Sequence, residues 1–154
     1  MLPAMATKST PEGYRTVTPG FITRDCDKAI DFIKTVFRAE ERMRFLGPDG
    51  KVAHCELQLG DSVIMCGEAG DYHAAAPQYL MVYVSDCDAT FKRAVDAGAK
   101  VLEQPNDKFY GDRSGRVKDA FGNEWVISTH IEDVSPAEME KRAKAATEAA
   151  KKKS

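Results

Sequence analysis

The sequence predicts an α+β fold: two tandem βαβββ modules forming a curved mixed sheet, followed by a C-terminal helical tail. Three observations carry this. The tripeptide Asp-Cys-Asp occurs twice, as Asp25-Cys26-Asp27 and Asp86-Cys87-Asp88, each time after a β-favouring run and before a helical apolar pattern. Each copy is followed by three further strand-like runs, so the order β-α-β-β-β repeats. The last two strands of each half are joined by a glycine-containing turn, Gly60-Asp61 in the first and Phe121-Gly122-Asn123 in the second.

Taken in chain order, residues 1–13 are small and polar with two prolines and read as a flexible leader, in which Met5 is an alternative start. The first module, residues 14–70, opens with a strand over Val17–Thr23. Asp25 or Asp27 then caps a helix whose apolar face is Ile30, Ile33, Val36 and Phe37, ending between Phe37 and Glu40. Strands follow over Glu41–Leu46, Val52–Leu59 and Ser62–Cys66. A linker, 71–78, leads to the second module, 79–134. Its strand Tyr79–Val84 precedes a helix capped by Asp86 or Asp88, which carries Phe91, Ala94 and Val95 and stops at Gly98. Strands over Lys100–Gln104, Gly115–Lys118 and Trp125–Thr129 complete it, with a long Pro-Asn-Asp connection after the first. Residues 135–154 form a basic helical tail. Ser135-Pro136-Ala137-Glu138 has capping-box spacing with proline at the first helical position. The two modules are expected to make one compact domain.

With 154 residues, 43% of them hydrophobic, and a formal net charge of −2, the chain supports one core and offers no general electrostatic attraction for nucleic acid or an anionic membrane. No apolar run approaches the ~20 residues a bilayer requires. Cys26, Cys55, Cys66 and Cys87 match no CxxC spacing and follow no signal peptide, which reads as reduced thiols in a cytoplasmic protein.

The stretches VTPGFITRDCDKAIDFIKTVF, HCELQLGDSVIMC, FYGDRSGRVKDAFGNEWVISTH and IEDVSPAEM resemble the vicinal oxygen chelate superfamily. That superfamily contains glyoxalase I, bleomycin resistance proteins and extradiol dioxygenases, and the likeness is to its PhnB-like branch. It runs from residue 15 to about residue 140. Its most specific part is Tyr110-Gly111-Asp112-Arg113-Ser114-Gly115 with Asp119 and Phe121-Gly122-Asn123. The resemblance implies paired modules whose strands make a cup, in a homodimer, and in active members a divalent metal whose coordination substrate oxygens complete.

Aligned on the repeated aspartates and on the turn glycines Gly60 and Gly122, the family's ligand places fall at Thr18 and Ile64 in the first module and at Tyr79 and Val126 in the second. These are poor ligands beside imidazole or carboxylate, and a register slip to Val17, Met65, Gln78 or Trp125 supplies no stronger set. The expectation is therefore no metal and no cofactor; nor does a glycine-rich loop follow the first strand to receive a nucleotide.

Alternation along the strands places His54, Glu56 and Gln58 on the concave face, with Glu124, Val126, Ser128 and His130, and with Tyr79, Met81 and Tyr83. Arg113 reads either as an anion contact, joined by Arg116 and Lys118, or as a loop brace with Asp112. His73 reads as surface. The expected function is binding of a small organic molecule in a cavity lined by Thr18, Gln58, Ile64, Tyr79, Met81, Tyr83, Arg113, Glu124, Val126 and Ser128. The rival is a lyase, isomerase or dioxygenase-type enzyme, acid/base or metal-dependent, with His54 and Glu56 catalytic and Glu124 completing a relocated site.

Overall fold

A computed structural model describes residues 6–154, so the alternative start at Met5 lies outside the described residues. The chain divides into two compact units, the first ending at Ala76 and the second beginning at Pro77.

The first unit contains β1 (Gly20–Thr23), α1 (Cys26–Phe37), β2 (Glu40–Leu46), β3 (Val52–Leu59) and β4 (Ser62–Glu68). Its strands form a four-stranded sheet in the order β1-β4-β3-β2, with β1 parallel to β4 and the other pairs antiparallel. The second unit repeats this with β5 (Tyr79–Tyr83), α2 (Cys87–Asp96), β6 (Lys100–Asp107), β7 (Asp112–Lys118) and β8 (Glu124–His130), in the order β5-β8-β7-β6. The tail helix α3 is Pro136–Lys151.

Each helix covers one face of its own sheet. In α1, Cys26, Ala29, Ile30, Ile33 and Val36 are buried at helical spacing, and they meet a sheet face on which Phe21, Cys55, Leu57, Ile64 and Cys66 are also buried. In the second unit Phe91 and Ala94 of α2 are buried with Val82, Val117, Trp125 and Ile127. At roughly 1.5–3 kcal/mol for each large side chain removed from water, these two sets are what fix the helices to the sheets. Gly115 is part of that packing: a Cβ there would lie 2.8 Å from the Phe91 ring, so only glycine lets α2 come this close to β7.

The repeated aspartates stand at equivalent places, one residue before each helix, but they do different work. Asp86 accepts a hydrogen bond from the Ala89 amide at 3.0 Å, as an N-cap should. Asp25 is left-handed (φ 54°) and makes no side-chain cap. Its place is taken by Glu68 at the end of β4, whose carboxylate accepts from the amides of Asp25 (3.0 Å) and Cys26 (2.8 Å). The second aspartates each anchor an arginine from a neighbouring strand, Asp27 with Arg44 at 2.7 Å and Asp88 with Arg113 at 2.7 and 2.9 Å.

Several strand limits differ from the sequence reading. β1 begins only at Gly20, because Pro19 has no amide hydrogen to pair, although its carbonyl accepts from Met65 at 2.9 Å. Residues 105–107 belong to β6, with bulges absorbing the proline, and β7 starts at Asp112. Asp112 and Arg113, expected in a loop, are thus strand residues pointing to opposite faces. α3 is capped as expected, Ser135 accepting from the Glu138 amide at 3.2 Å, and none of its residues is buried. It is tied down by Arg142, whose guanidinium donates two 2.8 Å bonds to Glu132.

Candidate functional site

Residues paired across neighbouring strands share a face, so the register assigns the predicted site residues that lie in strands. In the first unit Glu56 pairs with Met65 and Gln58 with Val63, while Met43 and Phe45 of β2 pair with Glu56 and His54. These occupy the sheet face away from α1. Leu57 pairs with Ile64 and Cys55 with Cys66, on the face that α1 covers. The placement of Ile64 on the concave lining is therefore corrected: it is a core residue, 5% exposed, and Met65 is the β4 residue facing outward at that level. Thr18 lies ahead of β1 and donates its hydroxyl to the Arg15 carbonyl at 3.3 Å. Gln58 is held in its own hairpin, its amide donating to the carbonyls of Gly60 (2.8 Å) and Ser62 (3.3 Å).

His54 and Glu56 are brought together, with His54 Nε2 3.2 Å from Glu56 Oε1. The sequence reading missed two further members of this group. The Tyr14 hydroxyl donates to the same Glu56 oxygen, and Arg42 places Nε 4.0 Å from Glu56 Oε2 and its guanidinium 5.4 Å from the centre of the Tyr14 ring. Arg42 reaches this face because a β-bulge between Glu41 and Met43 re-aims its side chain, which alternation alone does not foretell. The hydrogen bond from Tyr14 first, then His54 and Arg42, hold the Glu56 carboxyl below its ordinary range, against its burial. Glu56 is thus an anion at neutral pH, and the Tyr14 phenol, its own pKa raised by that same bond, is a neutral donor.

In the second unit Tyr79, Met81 and Tyr83 alternate along the edge strand β5 and pair with Glu124, Val126 and Ser128 of β8. They are 62%, 43% and 58% exposed, a row of large amphipathic side chains that no neighbour covers within the unit. Beneath them Val126 and Ser128 are buried, and the Ser128 hydroxyl donates to Ser114 at 3.1 Å. At one end of the face Arg116 donates to Glu124 at 2.8 Å and lies 3.3 Å from Glu103. At the other, buried Asp112 accepts from the Tyr83 hydroxyl at 2.7 Å and lies 2.7 Å from His130 Nδ1, while His130 Nε2 is 2.7 Å from Asp133. The bond to Asp112 pushes the Tyr83 phenol up to about 12, and Asp112, then Asp133, raise His130.

Arg113 is not on this face. It pairs with Thr129 on the helix side and is engaged by Asp88 and by Asp107 at 2.9 Å, so neither sequence reading holds as made: the anion contact is corrected, and Arg113 braces α2 and β6 rather than forming a loop brace with Asp112, which faces the other way. His73 is exposed, its ring edge-on to Tyr72.

The places where the family holds a metal do not fit one. Thr18 and Tyr79 offer hydroxyls, Val126 and Ile64 offer hydrocarbon, and Met65, which replaces Ile64 on the open face, offers a thioether. Among the described residues no three His, Cys, Asp or Glu side chains are grouped to hold a metal ion. His54 and Glu56 belong to the first unit and Glu124, which faces Arg116, to the second. The four cysteines are free and buried; burial raises Cys26 to about 12 and Cys55 to about 11, and raises Cys66 and Cys87 as well, so none is a ready nucleophile. No helix among the described residues is long and apolar enough to cross a membrane.

Comparison with known proteins agrees with this architecture. The profile of the Glyoxalase/Bleomycin resistance protein/Dioxygenase superfamily matches residues 15–127. Uncharacterized proteins of Mycobacterium bovis and Mycobacterium tuberculosis are 33% identical over 135 residues, which is 80% of this chain and 89% and 79% of theirs. The crystal structure of TioX from Micromonospora sp. ML1 superposes with a TM-score of 0.66 at 27% identity, over 76% of this chain and 99% of that one. A family enzyme from Burkholderia phytofirmans PsJN shares the fold at a TM-score of 0.61 and 20% identity, over 73% of this chain and 95% of its own. The duplicated βαβββ unit, the sheet order and these matches lead to one conclusion: the chain belongs to the Glyoxalase/Bleomycin resistance protein/Dioxygenase superfamily.

Proposed function

We propose that this protein is a PhnB-like member of the superfamily that binds a small organic molecule without a metal, on the open face of its second unit. The observation that carries the reading is the row Tyr79, Met81 and Tyr83, exposed on a sheet face whose two ends are polar. Aromatic rings and a thioether give a flat, polarizable contact surface at low entropic cost. The Arg116–Glu124 pair at one end and the Tyr83–Asp112–His130 group at the other offer hydrogen bonds of both senses. A flat amphipathic molecule with polar groups at its ends suits that arrangement better than a bidentate oxygen chelate, which has no metal to complete.

The test is a thermal-shift series with planar hydrophobic antibiotics, phosphonates and 2-oxo acids, each with and without EDTA. A ligand that binds the native state raises the melting temperature by mass action, about 2.7 kcal/mol of stabilisation at a hundredfold excess over Kd. The reading predicts a saturable shift with a planar antibiotic, unchanged by EDTA and lost in Tyr79→Ala and Met81→Ala. A shift confined to 2-oxo acids or phosphonates and abolished by EDTA overturns it in favour of metal-assisted chemistry, and no shift with any class overturns it outright.

The second reading is acid/base catalysis by His54 and Glu56, favoured by their 3.2 Å contact on the open face of the first unit. The depressed carboxyl of Glu56 makes it a weak base at neutral pH, which leaves His54 the proton acceptor of the pair. Turnover of a bound ligand that is lost in His54→Ala supports this reading over simple binding.

A further inference from the structure

The segment ahead of β1 is fastened across the open face of the first unit at four residues, Glu12, Gly13, Tyr14 and Arg15. The Tyr14 hydroxyl donates to Glu56 Oε1, the oxygen that also faces His54 Nε2. The Arg42 guanidinium lies against the Tyr14 ring and donates to the Glu12 carbonyl at 3.0 Å. Gly13, at φ +81°, brings the backbone so near that a Cβ would stand 3.0 Å from Arg42 Nη1. Arg15 holds the far side, donating to the carbonyl and the carboxylate of Asp61 in the β3–β4 turn at 3.2 and 3.3 Å.

These holds share a character. Apart from the close approach at Gly13, every one is polar or cation–π, and most are exposed; among the described residues Phe21 is the first apolar side chain to be strongly buried, and it comes only after the segment has ended. A segment held this way opens at less than the cost of unfolding, since none of residues 10–15 is itself buried in the core. Yet what lies beneath it is unusual for an open sheet: Glu56, a carboxylate 8% exposed, beside a histidine whose ring is flanked by Phe45 at 6.5 Å.

We propose that residues 10–15 are a strap that closes over the His54–Glu56 pair and controls access to it, with the Tyr14 phenol as the catch. With the strap down, Glu56 Oε1 is shared by Tyr14 and His54, and the imidazole, whose side chain is 36% exposed, is open to solutes on one side only. With the strap lifted, the carboxylate and the imidazole are both presented on the open face, and Arg42, released from the Glu12 carbonyl and the Tyr14 ring, keeps only its 4.0 Å approach to Glu56. The strap is a property of the first unit alone and stands whether or not the second unit binds a small molecule.

The experiment reads His54 directly and needs no ligand. Diethylpyrocarbonate acylates accessible neutral imidazoles, and peptide mass spectrometry of the full-length protein follows His54, His73 and His130 separately in one reaction. Tyr14→Ala removes catch and ring; Tyr14→Phe keeps the ring over Arg42 and removes only the hydroxyl. Losing a hydrogen bond to a charged acceptor makes the expected acceleration at His54 roughly tenfold in Tyr14→Ala and less in Tyr14→Phe, with His73 and His130 unchanged. An unchanged His54 rate in both variants overturns the proposal. A rise shared equally by all three histidines in both variants also overturns it, because the phenol would then be supporting the fold rather than guarding the pair.

Discussion

The row of side chains proposed to meet a ligand is set by a turn on which none of them sits. Asp119, 7% exposed, accepts four hydrogen bonds: Oδ1 from the amides of Phe121 and Asn123, both at 2.9 Å, and Oδ2 from Asn123 Nδ2 at 3.1 Å and Trp125 Nε1 at 2.9 Å. Asn123 in turn accepts the Gln78 amide at 2.9 Å, and the Glu124 amide donates to the Gln78 carbonyl, so the turn sets where β5 enters against β8. Replacing Asp119 by Asn keeps the shape but puts an amide nitrogen where one oxygen was, facing two donors. Two bonds are lost, at about 1–1.5 kcal/mol each, and the charge that strengthened the other two is gone, which together is about 3 kcal/mol. Trp125 is the only tryptophan and touches the mutated group, so its fluorescence through a urea titration reports the loss. At roughly 2–4 °C per kcal/mol for a chain of this size, the melting temperature falls by about 6–12 °C. A loss below about 1 kcal/mol would show that Asp119 is not the keystone of the turn.

Three further outcomes follow from the same geometry. Because the folded pKa of Glu56 is depressed, first by the Tyr14 bond, its contribution is present above the unfolded value and lost as pH falls through the folded one; the urea midpoint of Glu56→Gln should therefore trail the native protein at pH 7 and converge with it at acid pH. His130 runs the other way: its raised pKa makes its stabilisation complete below the unfolded value and lost as pH rises through the folded one, and Asp112→Asn should lower its titration midpoint in an NMR series. Ile64→Ala should cost about 2–4 kcal/mol in urea denaturation as a core truncation, whereas Met65→Ala, on the open face, should cost under about 1 kcal/mol; the reverse order would contradict the register.

The parts of the fold that sequence reveals are those written in local periodicity. β3 shows two-residue alternation through its polar members His54, Glu56 and Gln58, and its expected and observed limits coincide. The repeat is equally plain in the aspartates before each helix, though not the detail that Glu68, distant in sequence, caps α1 in place of Asp25. Ile64 was misplaced for a geometric reason. Each turn glycine stands two residues before the last strand of its half, yet Ser62 and Ile64 pair with Leu59 and Leu57 on the helix side while Glu124 and Val126 pair with Tyr79 and Met81 on the open side, so equal counts from Gly60 and Gly122 land on opposite faces. That Tyr79, Met81 and Tyr83 share one face of β5 follows from alternation alone. Tyr14 and Arg42 could not have been read: one meets Glu56 from a segment with no helix or strand, and the other depends on a bulge.

In the proposed reading the places expected for the superfamily's metal, Thr18, Ile64 or its neighbour Met65, Tyr79 and Val126, bind no divalent ion. Elemental analysis of the protein purified without chelator, then dialysed against excess zinc or nickel and desalted, tests it most directly. The prediction is far less than one metal per chain in both preparations; one equivalent retained through desalting, and lost in Tyr79→Phe or Thr18→Val, would contradict it.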